Sequence, residues 1–145
     1  MKATAHPGTD PPPTALRNDL LVLVGAALVV QLVFPYRHDW PAHLVGGGSA
    51  MLVIAAVAPR RLKLVTPAAA FAALVALSWV TEEGVFGPFD LVDISFTLAG
   101  ALLTSRATER IGQSNRQTRT AAAVWGAALI VAALAFRYGT SIGPT

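Results

Sequence analysis

Apolar residues in this chain are gathered into five long runs, separated by short polar or proline- and glycine-rich segments. The runs cover approximately residues 19–36, 43–58, 66–81, 89–105 and 120–138. Each holds roughly 16–19 residues, which at ~1.5 Å per helical residue is near the lower limit for crossing a hydrocarbon core of ~30 Å. No charge lies in the middle of any run. The pattern therefore predicts an all-α integral membrane bundle of about five transmembrane helices.

The segments between the runs contain residues that end helices. They are Pro35, Pro41, Pro59, Pro67, Gly84, Gly87 and Pro88. The stretch before the first run is rich in Pro, Thr and Ala and has no apolar period, which predicts a disordered cytoplasmic tail over 1–17. We expect the five-helix transmembrane domain over 18–139 and a short outer tail over 140–145.

The composition supports a membrane protein, because 54% of the residues are hydrophobic and only 13% are charged. A soluble domain needs more charge than this to cover its surface. The chain has no cysteine, which excludes disulfides, thiolate metal sites and cysteine nucleophiles. The net charge of +3 does not indicate nucleic-acid binding, since the basic residues sit in short segments between apolar runs.

The basic residues also predict the orientation of the chain. The tail and the segments 59–66 and 106–119 hold nine of the eleven Lys and Arg residues: Lys2, Arg17, Arg60, Arg61, Lys63, Arg106, Arg110, Arg116 and Arg119. With five helices these segments share one side, so the positive-inside rule places the N-terminus in the cytoplasm and the C-terminus outside. We expect a multi-pass protein of the inner or plasma membrane, with the loop residues acting in topology or in contact with anionic lipid.

Most of the acidic residues fall on the predicted outer face. They are Asp39, Glu82, Glu83, Asp90 and Asp93, and His38 and His43 join them there. Asp90 is placed to cap a helix N-terminus. Asp93 lies one turn further on, in a stripe with Thr97 and Gly100, and should face the bundle. An ionisable group inside a membrane is by default a functional candidate.

Two other helices bring polar groups to a similar depth. His43 follows Asp39 by four residues, and one of Glu82 and Glu83 should point inward, with the choice between them left open. Carboxylates this close need a proton, a cation or an arginine to compensate them.

Two explanations for the compensation remain open. One is an ion-pair network with Arg37 or Arg137, the two arginines of the outer face. The other is a divalent metal. Its candidate ligands are His43, Glu82, Asp93 and Asp39.

Glycines recur at positions expected to face other helices, namely Gly46, Gly47, Gly48 and Gly100. Residues without side-chain bulk allow a second helix to approach closely. The Gly46–Gly48 run lacks the strand, the lysine and the spacing of a phosphate-binding loop, so it predicts helix packing.

One order of residues matches a known family. It consists of His43 followed by small residues, Trp79–Glu82 ending the next helix, and Asp90-x-x-Asp93 opening a helix that ends Leu98-Ala99-Gly100-Ala101. Over roughly 39–105 this resembles the VanZ-like small polytopic membrane proteins, and most of all the uncharacterised YjdF-type inner-membrane proteins. Phe96 and Thr97 stand where such sequences usually carry an Asn. The resemblance implies a helical membrane fold and an envelope context, and it implies no particular reaction.

Three functions are compatible with these features. The first is a non-enzymatic accessory or envelope-associated factor, with a membrane-protein partner or a second copy of the chain. It predicts that the carboxylates pair with Arg37 or Arg137, or point outward to water. The alternative is a metal-dependent or acid–base hydrolase of a lipid-linked substrate, with Glu82 or Asp93 as base and His43 as ligand or acid. The third is a proton or cation conduit.

Overall fold

The computed structural model describes residues 13–59, 72, 74–76 and 90–139, with side chains from Leu16 onward. They form five helices: α1 Pro13–Val33, α2 Asp39–Val57, α3 Leu91–Leu103, α4 Ser105–Gln113 and α5 Arg116–Gly139. Ala72 and residues 74–76 are also helical. No strand occurs within these ranges, so the predicted all-α class is confirmed for the part of the chain that the structure describes.

Three of the described helices are long and apolar enough to cross a bilayer, over Leu16–Val33, Asp39–Val57 and Arg116–Gly139. Helix α3 is apolar but has only 13 residues, about 20 Å at ~1.5 Å per residue. Large apolar side chains of α1 point outward, including Leu21, Leu28 and Leu32. An apolar outer surface of this kind suits a lipid environment better than water.

Helix α2 is the centre of the bundle, with α1, α3 and α5 packed around it. The backbones of α2 and α3 are in direct contact. A Cβ atom added to Gly47 would lie 2.0 Å from the carbonyl oxygen of Thr97, and one added to Gly100 would lie 1.9 Å from that of Leu44. Only glycine allows the two helices to come this close.

The order of the contacts gives the helix directions. Gly47 meets Thr97 and Gly48 meets Gly100, so α2 and α3 run parallel. His43 meets Arg137 while Ala56 meets Arg119, so α5 is antiparallel to α2. Because α2 and α3 are parallel, the chain between them returns to the end of the bundle at which α2 begins.

The segment 106–119, predicted as a loop, is largely helical instead. Helix α4 buries Ala107, Thr108 and Ile111 and exposes its charged residues. The physical reason is amphipathicity: the charges form the solvated face of a short helix, whereas the prediction took their number as a sign of a loop. Residues 13–17, predicted as part of the N-terminal tail, belong to α1 instead, which begins at Pro13, a residue well suited to a first helical turn.

Helix α4 packs at the end of the bundle that holds most of the described arginines. Its buried Ala107 and Ile111 join a cluster with Leu52, Ala55 and Ala122. Arg110 lies 3.6 Å from Asp19 of α1. Arg119 of α5 donates hydrogen bonds to the carbonyls of Ala56, at 2.9 Å, and Ala58. Those carbonyls have no partner within α2, so the guanidinium caps the helix. We call this end of the molecule the arginine end.

Candidate functional site: the His43 cluster

At the opposite end, three helices bring side chains together around one imidazole. His43 lies in the second turn of α2, Asp93 in the first turn of α3 and Arg137 in the last turn of α5. His43 Nε2 is 3.1 Å from Asp93 Oδ2 and 2.9 Å from Arg137 Nη1, while Nδ1 is 3.2 Å from Thr97 Oγ1. We call these four residues the His43 cluster.

Local structure determines the position of Asp93. Asp90 is the N-cap of α3, and its carboxylate accepts a hydrogen bond of 2.7 Å from the backbone N–H of Val92. The cap sets where the helix begins, so the residue three positions later points to α2. Asp93 is 4% exposed. The expectation that Asp93 faces the bundle agrees with this position.

Nε2 of His43 cannot form hydrogen bonds with both Asp93 and Arg137 at the same time. The Thr97 hydroxyl donates to the backbone carbonyl of Asp93 at 3.0 Å, so its oxygen accepts from His43 Nδ1–H. Nε2 then lies between a carboxylate and a guanidinium. If Nε2 carries a proton it donates to Asp93; if it does not, it accepts from Arg137. The two arrangements differ by one proton.

The second oxygen of Asp93 has no such partner. Oδ1 is buried, and no hydrogen-bond donor reaches it within the described part of the chain. A buried polar atom without a partner costs about 1–3 kcal/mol, or more when charged. The cluster therefore provides a partner for Asp93 Oδ2 but none for Asp93 Oδ1 among the described residues.

A cavity of about 300 Å³ lies beside the cluster, between α2 and α5. Its polar lining residues are His43, Thr97 and Arg137. The rest of the lining is apolar or without a side chain: Ala42, Gly46, Gly47, Ala50, Leu74, Ile130, Ala133 and Leu134. Asp93 lies behind His43 and does not line the described wall, so any occupant would meet the imidazole and the guanidinium.

Aromatic side chains lie at the same end of the bundle. Trp40 stacks on Phe96 with ring centroids 5.2 Å apart and meets the edge of Phe34 at 4.8 Å. The guanidinium of Arg37 lies 5.1 Å from the Trp40 ring. Such a layer is typical of the depth at which a membrane protein passes from hydrocarbon to water.

Of the candidate metal ligands, the structure brings together His43 and Asp93. Asp39 is the half-buried first residue of α2, with His38 at the N-cap position. Glu82 and Glu83 lie outside the described residues. Among those that are described, no group of three His, Asp or Glu side chains is placed to hold a metal ion. The metal site stays a prediction.

The glycines and basic residues divide into distinct roles. Gly47, Gly48 and Gly100 lie in tight helix contacts, whereas a Cβ on Gly46 would meet nothing within 4 Å. Arg106, Arg110 and Arg116 are exposed at the arginine end. Arg60, Arg61 and Lys63 fall outside the described residues.

Two functional contacts were not anticipated from the sequence. Thr97 was placed on the polar stripe but not as a partner of His43. Its spacing of four residues from Asp93 was the available signal, because one imidazole can reach both positions on adjacent turns. The capping of α2 by Arg119, 63 residues away from Ala56, has no local signal.

The chain matches no protein-family model, no curated protein and no solved structure. What it does is therefore inferred from its own contacts. The His43 cluster is the site at which buried charge, a cavity and three helices coincide.

Proposed function

We propose that this protein is a multi-pass protein of the cell membrane, cytoplasmic at its N-terminus, that acts as an accessory or envelope-associated factor. In this proposal the His43 cluster is a fixed polar contact that holds α2, α3 and α5 together at the outer end. One observation supports it most: a single imidazole contacts both Asp93 and Arg137, so the carboxylate is compensated by the protein itself. The envelope context follows from the VanZ-like sequence pattern.

The parallel arrangement of α2 and α3 supports the proposed count of five transmembrane spans. Because α2 and α3 point the same way, α2 ends at one end of the bundle and α3 begins at the other, as a transmembrane segment between them would require. Leu74, in this connection, packs against Met51 and Ala101. Its position among the helices, away from their ends, is the one expected for a transmembrane segment near 66–81.

The orientation is tested by fusing a reporter that is active only outside the cytoplasm. Fusions after Gly139 should be active, and fusions after Gln113 should be inactive, since the arginine end is proposed to be cytoplasmic. Equal activity at both sites, or the reverse pattern, would refute the proposed topology.

The role of the cluster is tested with Asp93→Asn in detergent-purified protein. A structural contact predicts a lower thermal unfolding midpoint and less protein in the membrane, with no effect of a chelator on wild type. Asp90→Asn is the matched control, because asparagine also caps helices well. An Asp93→Asn protein with unchanged stability would contradict the structural role.

A hydrolase acting on a lipid-linked substrate is the second candidate, favoured by the cavity beside His43. His43 would accept a proton from water while Asp93 holds the ring in place, and Arg137 would stabilise a developing negative charge. Glu82 could serve as base, or as ligand if a divalent metal binds. Stoichiometric metal lost in Asp93→Asn, with folding intact, would favour this function over the first.

The conduit has little support from the described helices. A relay across the bundle needs hydroxyls that pass protons to one another. Thr97, Thr104 and Thr108 instead donate to backbone carbonyls.

A further inference from the structure

We propose that the surface of α5 around Arg116 binds one anionic phospholipid, with the lipid phosphate on Arg116 and Thr120 and one acyl chain on each side of Val124. The inference rests on the proposed function, in which the protein lies in a membrane with its arginine end in the cytoplasm. It does not involve the His43 cluster, which lies at the opposite end of the bundle.

Contacts within the protein distinguish Arg116 from other arginines of the arginine end. Arg119 donates to carbonyls at the end of α2, and Arg110 lies beside Asp19. Within the described chain, the exposed side chain of Arg116 takes part in no hydrogen bond, ion pair or ring contact. Its five N–H donors are therefore free to meet a ligand, and a guanidinium binds phosphate through two of them.

Thr120 supplies a second donor on the same face of α5. It follows Arg116 by four residues, so the Cβ atoms of the two side chains lie about 5–6 Å apart on adjacent turns. The hydroxyls of Thr97 and Thr108 donate to backbone carbonyls, whereas the exposed hydroxyl of Thr120 has no acceptor among the described residues. One phosphate can accept hydrogen bonds from Arg116 and Thr120 together.

Two grooves share these donors. Arg116, Thr120 and Val124 line both grooves, and their spacing of four residues is that of a ridge on a helix surface. The first groove, of about 480 Å³, lies toward the end of α2, and the second, of about 630 Å³, lies on the other side of the ridge. A phospholipid has the matching form, because its two acyl chains are joined to one phosphate.

The grooves become apolar with distance from Arg116. Val57 of α2 lines the first groove and Trp125 the second, and both are more than half exposed, as is Val124 between the grooves. Exposed apolar side chains of this size mark a surface that contacts lipid or a partner. Val124 and Trp125 lie about 12–14 Å beyond Arg116 at ~1.5 Å per residue. A lipid with its phosphate at Arg116 thus points its chains toward the middle of the bundle, as in the surrounding bilayer.

Charge favours an anionic lipid over a zwitterionic one. Arg116 and Arg119 both line the first groove, and no carboxylate belongs to the described lining of either groove. The cationic part of a phosphatidylcholine headgroup would therefore meet arginine instead of a partner of opposite charge. The proposed orientation agrees with this selection, because anionic lipids are enriched in the cytoplasmic leaflet.

The test of the headgroup measures lipid bound to the full chain in detergent micelles by native mass spectrometry. We expect wild type to retain one phosphatidylglycerol and to bind phosphatidylcholine more weakly. Arg116→Gln should bind phosphatidylglycerol about tenfold more weakly than wild type, a change of ~1.4 kcal/mol. Arg106→Gln is the matched control and should bind as wild type does, because Arg106 is also exposed but lines neither groove.

Ala121→Leu tests the chains and keeps the proposal testable if Arg116→Gln does not fold. Ala121 lines the second groove, so added bulk there should weaken the binding of phosphatidylglycerol. It should leave the binding of lysophosphatidylglycerol, which has one chain, unchanged. Gly25→Leu of α1 is the control, since Gly25 has open space for a side chain and lines neither groove.

Equal phosphatidylglycerol binding by Arg116→Gln and wild type would overturn the inference, as would equal retention of phosphatidylglycerol and phosphatidylcholine by wild type. Equal binding of phosphatidylglycerol and its single-chain form would refute the use of both grooves. Stabilisation by inorganic phosphate alone, lost in Arg116→Gln, would indicate a free anion instead. A loss of dimers in Ala121→Leu would indicate that a second copy covers the grooves.

The reporter fusions separate this inference from the proposed function. An inactive fusion after Gln113, together with no retained lipid, would refute the lipid site alone. An active fusion after Gln113, together with retained phosphatidylglycerol, would refute the proposed orientation alone.

Discussion

The two ends of this bundle handle charge in opposite ways. At the His43 cluster, Asp93 is 4% exposed and its carboxylate contacts His43 of α2, which in turn contacts Arg137 of α5. At the arginine end, Arg119 donates to backbone carbonyls and the Arg110 side chain is 50% exposed beside Asp19. Each end joins helices that are far apart in the sequence, but among the described residues the carboxylate of Asp93 is the more deeply buried, with a side chain 6% exposed against 25% for Asp19.

This difference in burial predicts how strongly single substitutions at each end destabilise the protein. Removing one partner of a buried pair leaves a charge without compensation and is strongly destabilising, whereas an exposed pair contributes ~0–1 kcal/mol. The His43 cluster should therefore be sensitive to single changes and the arginine end tolerant. The following substitutions test that contrast, from the largest expected effect to the smallest.

Gly100→Ala should destabilise the fold more than the other substitutions below, through the α2–α3 contact near the His43 cluster. The new Cβ would lie 1.9 Å from the carbonyl oxygen of Leu44, and since that oxygen is backbone, α2 and α3 have to separate. We expect a loss of at least about 4 kcal/mol, at the upper end of single-substitution effects. The measurement is the unfolding midpoint in detergent, with Gly112→Ala of α4 as control, because a Cβ there meets nothing within 4 Å. Equal midpoints for the two variants would show that the contact is not tight.

His43→Ala should cost about 3–5 kcal/mol, because Asp93 would stay buried without the imidazole. Adding Asp93→Ala should recover part of that loss, since the uncompensated charge is then gone. A double-mutant cycle on unfolding free energies measures the coupling. Additive effects of the two substitutions would mean that the ion pair does not stabilise the fold.

Arg119→Ala and Arg110→Ala should separate two kinds of contact at the arginine end. Arg119→Ala uncaps α2 and is expected to cost roughly 1–3 kcal/mol, because carbonyls lose a charged donor. Arg110→Ala should cost less than about 1 kcal/mol, as the pair is half-exposed. Unfolding midpoints at low and high salt distinguish them, with Arg106→Ala as control. A larger loss for Arg110→Ala would contradict this ranking.

Much of this contrast follows from local patterns in the sequence. Apolar runs predict the long helices, and a spacing of three and four residues places Asp93 and Thr97 on one face. Asp90 is recognisable as a cap from its position before an apolar run. These inferences depend on neighbours within about one helical turn, which is why sequence alone suffices.

What could not be predicted depends on contacts between distant segments. That Arg137 meets His43 depends on the rotation of α5 about its axis, and that Arg119 caps α2 depends on where both helices end. Helix α4 was missed for a different reason: the spacing of Ala107, Thr108 and Ile111 is the local pattern of an amphipathic helix, but its contact with Leu52 and Ala55 of α2 depends on distant segments. The inward choice between Glu82 and Glu83 lies outside the described residues.

The sequence distance between His43 and Arg137 has a consequence for biosynthesis. The two residues are 94 positions apart, and His43 and Thr97 are 54 apart. In the proposed membrane setting, α2 would therefore enter the bilayer before the groups that pair with its imidazole and cover its glycines have been made. In that setting, we expect α2 to need a temporary neighbour, such as the insertion machinery or a chaperone, until α5 follows. Chains that terminate before Arg116 should remain bound there and be degraded.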